Sequence, residues 1–239
     1  MRCALIHGFT GDPANWDEVI DNWKLAEEPV PITLPGHGPA GGPVREGWDA
    51  NLSAVAEAID GCEIVVGYSL GARVALGLIA TGRAAFGVLI GVNPGIAEAE
   101  RAARVQFDGA WARMLRVEGL DTFVTAWEKQ PLFASQTRVT IERRLERRAR
   151  RFRLEPEQLA QSLEQMGLGA MPDYWSIVPA HRDRIALITG AEDAKYCAIA
   201  RGLPSAFYEQ IPESGHDPTL EQPLMLSASI ARAVEKLTE

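Results

Sequence analysis

The chain has 239 residues, 46% hydrophobic and 23% charged, with a net charge of −8. That length and balance suit one folded domain with a full apolar core and exclude a disordered chain. The acidic total disfavours nucleic acid as a partner, and the apolar runs, all broken by glycine or charge, are too short for a membrane span or a signal peptide.

Six short runs of Ile, Val and Leu read as strands, and each stops at Gly or Pro. A first strand is predicted over Arg2 to His7, ending at Gly8, and a helix over Trp16 to Trp23 follows it. A second strand covers Val30 to Leu34 and ends in Pro35-Gly36-His37-Gly38. The stretch Pro39 to Pro43 reads as a surface loop. A helix over Trp48 to Ile59 leads to a third strand, Glu63 to Val66, and Ala72 to Ala80 forms the next helix, stopped by Gly82. A fourth strand covers Gly87 to Val92, before Asn93-Pro94-Gly95. The fifth covers Arg184 to Thr189, the sixth Ala206 to Ile211, and a helix over Pro223 to Leu237 closes the chain. Strands that are apolar on both faces and alternate with helices predict an α/β fold with a buried, mostly parallel sheet.

Residues 95–172 break this alternation. They hold helical patterns only: Ile96 to Arg116, Asp121 to Lys129, Arg138 to Arg153 and Glu157 to Met166. The expected organisation is therefore a core of residues 1–94 and 173–239, with a helical lid of residues 95–172 inserted in it. Residues 93–160 carry 13 Lys or Arg against 10 Asp or Glu, a balance of +3 on a chain whose remainder sums to −11. Two readings follow. The basic residues either form a solvated helix face or make a cationic wall for an anionic substrate.

Gly67-Tyr68-Ser69-Leu70-Gly71 matches G-x-S-x-G between a predicted strand and a predicted helix. That context places Ser69 on a tight turn, with its hydroxyl lifted over the strand ends at a helix N-terminus. A serine needs a histidine base, and the histidine needs a carboxylate to fix its tautomer. Of the four histidines, His216 follows the last strand at the carboxyl edge of the sheet. His7 and His37 sit in turns and read as structural, and His181 precedes a strand, on the opposite edge. The acid is expected in Gly190-Ala191-Glu192-Asp193; Asp193 is preferred and Glu192 is the alternative. Asp193 can also be read as the N-cap of a helix starting near Ala194. The backbone N–H groups of Phe9 and Leu70 are the candidate oxyanion donors. No H-E-x-x-H, no clustered His and Cys, and no phosphate-binding glycine loop occurs, so neither a metal nor a nucleotide cofactor is expected. The three cysteines, Cys3, Cys62 and Cys197, are widely spaced and read as free thiols in a reducing, cytoplasmic setting.

Arg73 lies four residues beyond Ser69 on the same predicted helix. A buried arginine is costly unless paired, so Arg73 suggests a carboxylate partner held bidentately.

The ordered set His7-Gly8-Phe9, Leu34-Pro35-Gly36-His37-Gly38, Gly67 to Gly71, Asp193 and Gly215-His216 resembles the α/β-hydrolase superfamily across nearly the whole chain. A narrower set resembles the SHCHC synthases of menaquinone biosynthesis. It comprises His7 to Trp16, Gly67 to Leu76, Asn93-Pro94-Gly95 with Glu100 to Arg104, Trp127 to Ser135, and Gly190 to Lys195. The resemblance implies the α/β-hydrolase fold, no cofactor, and a lyase that eliminates pyruvate from SEPHCHC, leaving 2-succinyl-6-hydroxy-2,4-cyclohexadiene-1-carboxylate. In that family the triad removes a proton rather than forming an acyl-enzyme. The resemblance further implies that Arg73 contacts a small anionic polycarboxylate substrate and that Tyr68 and Trp127 line its pocket. Arg101 and Arg104 match a basic motif early in the lid, and Arg151 matches a later lid arginine. The chain departs from the family at Glu128, where an aromatic is common, and at His216-Asp217-Pro218, where smaller residues are expected. Two other functions fit the same triad: a serine hydrolase acting on an ester or carbon–carbon bond, and a catalytically inert binding module.

Overall fold

The computed structural model describes residues 1–239. Six strands, β1 (Cys3–Ile6), β2 (Val30–Ile32), β3 (Ile64–Tyr68), β4 (Phe86–Ile90), β5 (Ile185–Gly190) and β6 (Phe207–Ile211), form one sheet in the order β2-β1-β3-β4-β5-β6. Every pairing is parallel. Successive residues serve opposite faces, and both faces are apolar. Ala4, Ile6, Val65, Leu89 and Leu187 belong to one core layer, whereas Cys3, Leu5, Val66, Val88 and Ile188 belong to the other. A strand buried on both sides has no polar alternation, which is why the six runs were legible.

The helices that cover the sheet are α1 (Asp17–Ile20), α2 (Trp48–Ala58), α3 (Leu70–Ala80), α8 (Ala194–Arg201), the single turn α9 (Pro218–Glu221) and α10 (Pro223–Thr238); between β4 and β5 lie α4 (Glu98–Val117), α5 (Gly119–Glu128), α6 (Ile141–Arg151) and α7 (Pro156–Met166). Helix α3 is buried on almost every face against one layer. On the other layer Leu226, Ile230, Ala233 and Val234 of α10 pack on β4 and β5. Full burial of one such Leu or Ile contributes about 1.5–3 kcal/mol. The insert has its own small core, with Leu115, Phe123, Leu159 and Leu163 buried between α4, α5 and α7.

Two elements differ from the sequence reading. The expected helix Trp16 to Trp23 is a 3-10 turn, Pro13–Trp16, followed by the single turn α1. It ends because the N–H groups of Asn22 and Trp23 reach back to the carbonyls of Val19 and Ile20, the tightened i→i−3 pattern that closes a helix. The expected helix Arg138 to Arg153 begins only at Ile141. Residues Pro131–Arg138 wind as 3-10 turns, and the β-branched Val139 is extended after them.

The chain passes from β1 to β2 on one side and then to β3 on the other. The strand order therefore reverses between β1 and β3, and the loops after their carboxyl ends flank a crevice. Those loops carry Phe9 and Ser69.

Candidate active site

Ser69 sits between β3 and α3 at φ 53°, ψ −107°, a left-handed conformation that a serine adopts only when its surroundings enforce it. Two glycines make that turn fit. A β-carbon on Gly67 would collide with the Gly71 carbonyl, and one on Gly71 would collide with the Ile6 carbonyl of β1. The Ser69 N–H donates to the Ile90 carbonyl at 2.9 Å, tying the turn to β4.

Ser69, His216 and Asp193 meet in one hydrogen-bonded chain. Ser69 Oγ lies 3.0 Å from His216 Nε2, and His216 Nδ1 lies 2.6 Å from Asp193 Oδ2. His216 and Asp193 are buried. The other Asp193 oxygen accepts the Tyr196 N–H at 3.3 Å, so this carboxylate caps α8 and orients the histidine at once. Glu192, the alternative acid, is turned outward onto Arg138, with contacts of 2.7 and 2.8 Å. The Glu221 carboxylate accepts the backbone N–H of Gly215 at 2.8 Å and of Asp217 at 3.2 Å, gripping the chain on both sides of His216.

The N–H of Leu70, first in α3, and that of Phe9 donate to no group in the protein. Both residues line a cavity of ≈ 600 Å³ that also takes in Ser69 and His216. The Phe9 ring closes one wall by packing edge-on against Trp127, with ring centres 5.0 Å apart.

Arg73 reaches the same cavity from α3. One of its terminal nitrogens donates to the Met166 carbonyl at 2.9 Å, and no carboxylate lies within ion-pairing distance. Burial pulls its pKa down to about 10, which leaves it charged at neutral pH. Arg104 lines the cavity too, but its Nε is held by both oxygens of buried Asp108, at 3.0 and 2.9 Å.

The remaining expected residues fall elsewhere. Tyr68 is buried under the site against Gly8 and His216, and does not line the cavity. Arg101 faces away and braces the insert through the carbonyls of Gly169 and Met171, at 2.6 and 2.8 Å. Arg151 is ion-paired to Glu128 at 2.5 Å and lines a different, smaller cavity. His7 and His37 hold loops: the Leu34 N–H donates to His7 Nε2 at 3.1 Å, and His37 Nδ1 donates to the Pro35 carbonyl at 3.0 Å. Burial lowers their pKa values to about 4 and about 3. His181 lies in the turn before β5, at the other end of the sheet.

Asp108, Lys195 and Tyr196 line the cavity without having been singled out in the sequence. Asp108 was within reach of inspection, since an acid four residues after Arg104 on one helix is a natural ion-pair partner. No group of three His, Cys, Asp or Glu side chains is placed to hold a metal ion.

A 2-succinyl-6-hydroxy-2,4-cyclohexadiene-1-carboxylate synthase from Escherichia coli O7:K1 (strain IAI39 / ExPEC) is 33% identical over 236 residues, covering 96% of this chain and 92% of that protein. The structure of MenH from S. aureus superposes with a TM-score of 0.91 at 27% identity, over 100% of this chain and 95% of that one. A thermophilic esterase from Thermogutta terrifontis, 23% identical, shares the fold with a TM-score of 0.82, over 100% of this chain and 91% of its own. Residues 4–228 match the alpha/beta hydrolase family, so the chain is a member of that family.

Proposed function

We propose that this protein is an SHCHC synthase of menaquinone biosynthesis, a carbon–oxygen lyase that eliminates pyruvate from SEPHCHC. The observation that carries the reading is the unpaired Arg73 guanidinium in the cavity of the Ser69–His216–Asp193 chain. A serine hydrolase needs the triad but has no use for a half-buried cation without a counter-ion. A polycarboxylate substrate supplies one. The named product bears a ring carboxylate and a succinyl carboxylate, and pyruvate carries a third. The 33% identity to a protein of that activity supports the same choice.

In this reading Asp193 fixes His216 with Nδ1 protonated, leaving Nε2 to accept the Ser69 proton. Ser69 and His216 together act as the base that takes the proton from the ring carbon bearing the succinyl group, where the adjacent ketone acidifies it. The electron pair left on that carbon becomes a new ring double bond, the ring double bond already present shifts by one carbon, and the carbon–oxygen bond at its far end breaks. The departing oxygen takes the bond's electrons as the enolate of pyruvate, whose methylene carbon then takes up a proton, the one the base removed or one from water, to give pyruvate. The Phe9 and Leu70 N–H groups stabilise the negative charge that develops in between, and the cavity walls exclude water. Arg73, with the free edge of Arg104, holds carboxylates so that the acidic C–H faces Ser69. Trp127 packs against the substrate ring.

The reaction runs on a small anionic substrate in the cytoplasm and uses no cofactor. No helix of the chain is long and apolar enough to cross a membrane, and all three cysteines are free thiols. Incubating purified protein with SEPHCHC and following pyruvate by a coupled absorbance assay tests the proposal. Stoichiometric pyruvate and the cyclohexadiene are expected. Turnover of simple esters with no pyruvate release would replace the lyase by a hydrolase.

A further inference from the structure

Four arginines of the insert that do not reach the reaction cavity gather around a second one. It has a volume of ≈ 220 Å³ and lies behind a thin wall made by the end of α5 and the turns that follow. Trp127 and Ser135 line the reaction cavity from that wall, while Glu128, Phe133 and Gln136 line the second cavity. Four arginines of α6 complete the lining: Arg144, Arg147, Arg148 and Arg151. Arg147 and Arg151 are only 4% and 7% exposed.

The hydrogen bonding of this lining is one-sided. Nε of Arg144, Nε of Arg147, Nε of Arg151 and Nε2 of Gln136 are all buried and all without an acceptor. Arg144 has no carboxylate partner at all. The acceptors at hand are already occupied. Glu128 gives one oxygen to Arg151 at 2.5 Å and the other to Arg148. Asp217 holds Arg147 at 3.3 Å, and the Thr137 hydroxyl is turned to the Ala134 carbonyl at 3.0 Å. Four guanidinium groups therefore face two enclosed carboxylates; Asp121, 3.5 Å from Arg148, is exposed to solvent and screened. Ile141 and Leu145 are exposed where they border the cavity, so small solutes can enter.

A cation would leave these donors unsatisfied, and a neutral acceptor would satisfy them without offsetting the excess positive charge. An oxyanion offers only acceptors, and the planar fork of arginine matches its geometry. We propose that this cavity is a second anion site, separate from the reaction cavity, for a small oxyanion of the phosphate or carboxylate class. Its source is either a free inorganic anion or a small carboxylate such as the one the reaction releases, and the two can be told apart.

The test is calorimetric titration of the intact protein with inorganic phosphate, and separately with pyruvate, at an ionic strength fixed by chloride. An Arg73→Ala background removes one of the reaction cavity's own unpaired cations; exposed Lys195 is the other, and dependence on Arg144 separates binding there from binding in the second cavity. Saturable phosphate binding that survives Arg73→Ala and weakens about tenfold or more in Arg144→Gln is expected, since one charge-assisted contact is lost. Gln136→Leu, which deletes a neutral donor, should weaken it less and provides a second variant if the first folds poorly. Arg144-dependent binding of pyruvate but not phosphate supports the site with a carboxylate as its ligand. Saturable binding of neither anion means that water alone satisfies the donors, and overturns the proposal. Binding abolished by Arg73→Ala but untouched by Arg144→Gln overturns it as well. No step depends on turnover, so this result and the lyase assay stand or fall independently.

Discussion

Replacing Arg73 by alanine removes a half-buried cavity cation that no protein carboxylate neutralises; Lys195, the other unpaired cation of the lining, is exposed to solvent. If it binds a substrate carboxylate, the lost contact is a charge-assisted pair in a site shielded from water. Such contacts contribute about 1.5–3 kcal/mol, so kcat/KM should fall by about 10- to 150-fold. The protein itself loses less. Arg73 gives it one hydrogen bond, to the Met166 carbonyl at the end of α7, and a weak contact of 3.7 Å to the Met171 sulfur. A net hydrogen bond contributes about 0.5–1.5 kcal/mol, and removing a desolvated, unpaired charge offsets part of that. Thermal stability should therefore change little while kcat/KM drops. Arg73→Lys should restore only part of the activity, because an ammonium cannot make a planar two-point contact. Steady-state kinetics on SEPHCHC beside a thermal melt of each variant gives both readouts. An Arg73→Ala protein that melts normally and keeps full kcat/KM refutes carboxylate recognition by this residue, and with it the argument for a lyase over a generic hydrolase.

The other predictions concern the triad, its supports and the buried histidines. Ser69→Ala, His216→Ala and Asp193→Asn should each lower turnover by about 10³-fold or more without altering the circular dichroism spectrum. Loss of activity in Glu192→Gln but not in Asp193→Asn would move the acid to Glu192. Mass spectrometry of a quenched reaction should find no covalent adduct on Ser69, since elimination passes through no acyl-enzyme; a stable adduct with the natural substrate would favour a hydrolase. Glu221→Gln should reduce kcat severalfold with KM nearly unchanged, because an amide oxygen can take over only one of the two N–H groups flanking His216. His7 and His37 are neutral in the fold, with pKa values of about 4 and about 3, below the 6.5 of an unfolded histidine. The unfolded chain therefore binds more protons as pH falls below about 6.5, and stability should decline from there towards pH 4. His37→Asn, which keeps a donor for the Pro35 carbonyl, should flatten that slope in pH-dependent melts.

The sheet was legible in the sequence because its strands are buried on both faces. A run such as Ile64-Val65-Val66 has no other reading beside Gly67 and a helix. The serine turn was legible because Gly67 and Gly71 are forced by backbone collisions rather than by side-chain preference, so the five-residue pattern carries its own geometry. Asp193 left two readings open, helix cap or triad acid, and the geometry accommodates both, since a carboxylate has an oxygen for each. What stayed hidden depended on side-chain direction over long distances. Tyr68 adjoins Ser69 in sequence, yet alternation along β3 turns it into the core layer that α10 covers, beneath His216 rather than into the cavity.

The arginines of the insert show why a segment's net charge predicts a binding surface poorly. A balance of +3 over residues 93–160 suggested a cationic wall above the site. Yet the acidic body supplies partners that the segment lacks: Arg143 reaches Glu18 at 2.7 Å, Arg138 reaches Glu192 at 2.7 Å and Arg147 reaches Asp217 at 3.3 Å. The excess positive charge of the insert is thus largely what docks it onto the excess negative charge of the core. Exposed pairs of this kind contribute about 0–1 kcal/mol each; their effect is to set where the insert rests over the sheet. The buried Arg147–Asp217 pair differs, because it joins α6 to the residue that follows His216. Asp217 is the departure from the smaller residues expected after this histidine, and Glu128, which clasps Arg148 and Arg151, is the departure beside Trp127. Each places a carboxylate where an arginine of α6 arrives. Only charges that the docked core leaves unpaired remain available for a ligand. By that criterion Arg73 and Lys195 are left free at the reaction cavity, and Arg144 at the cavity behind its wall.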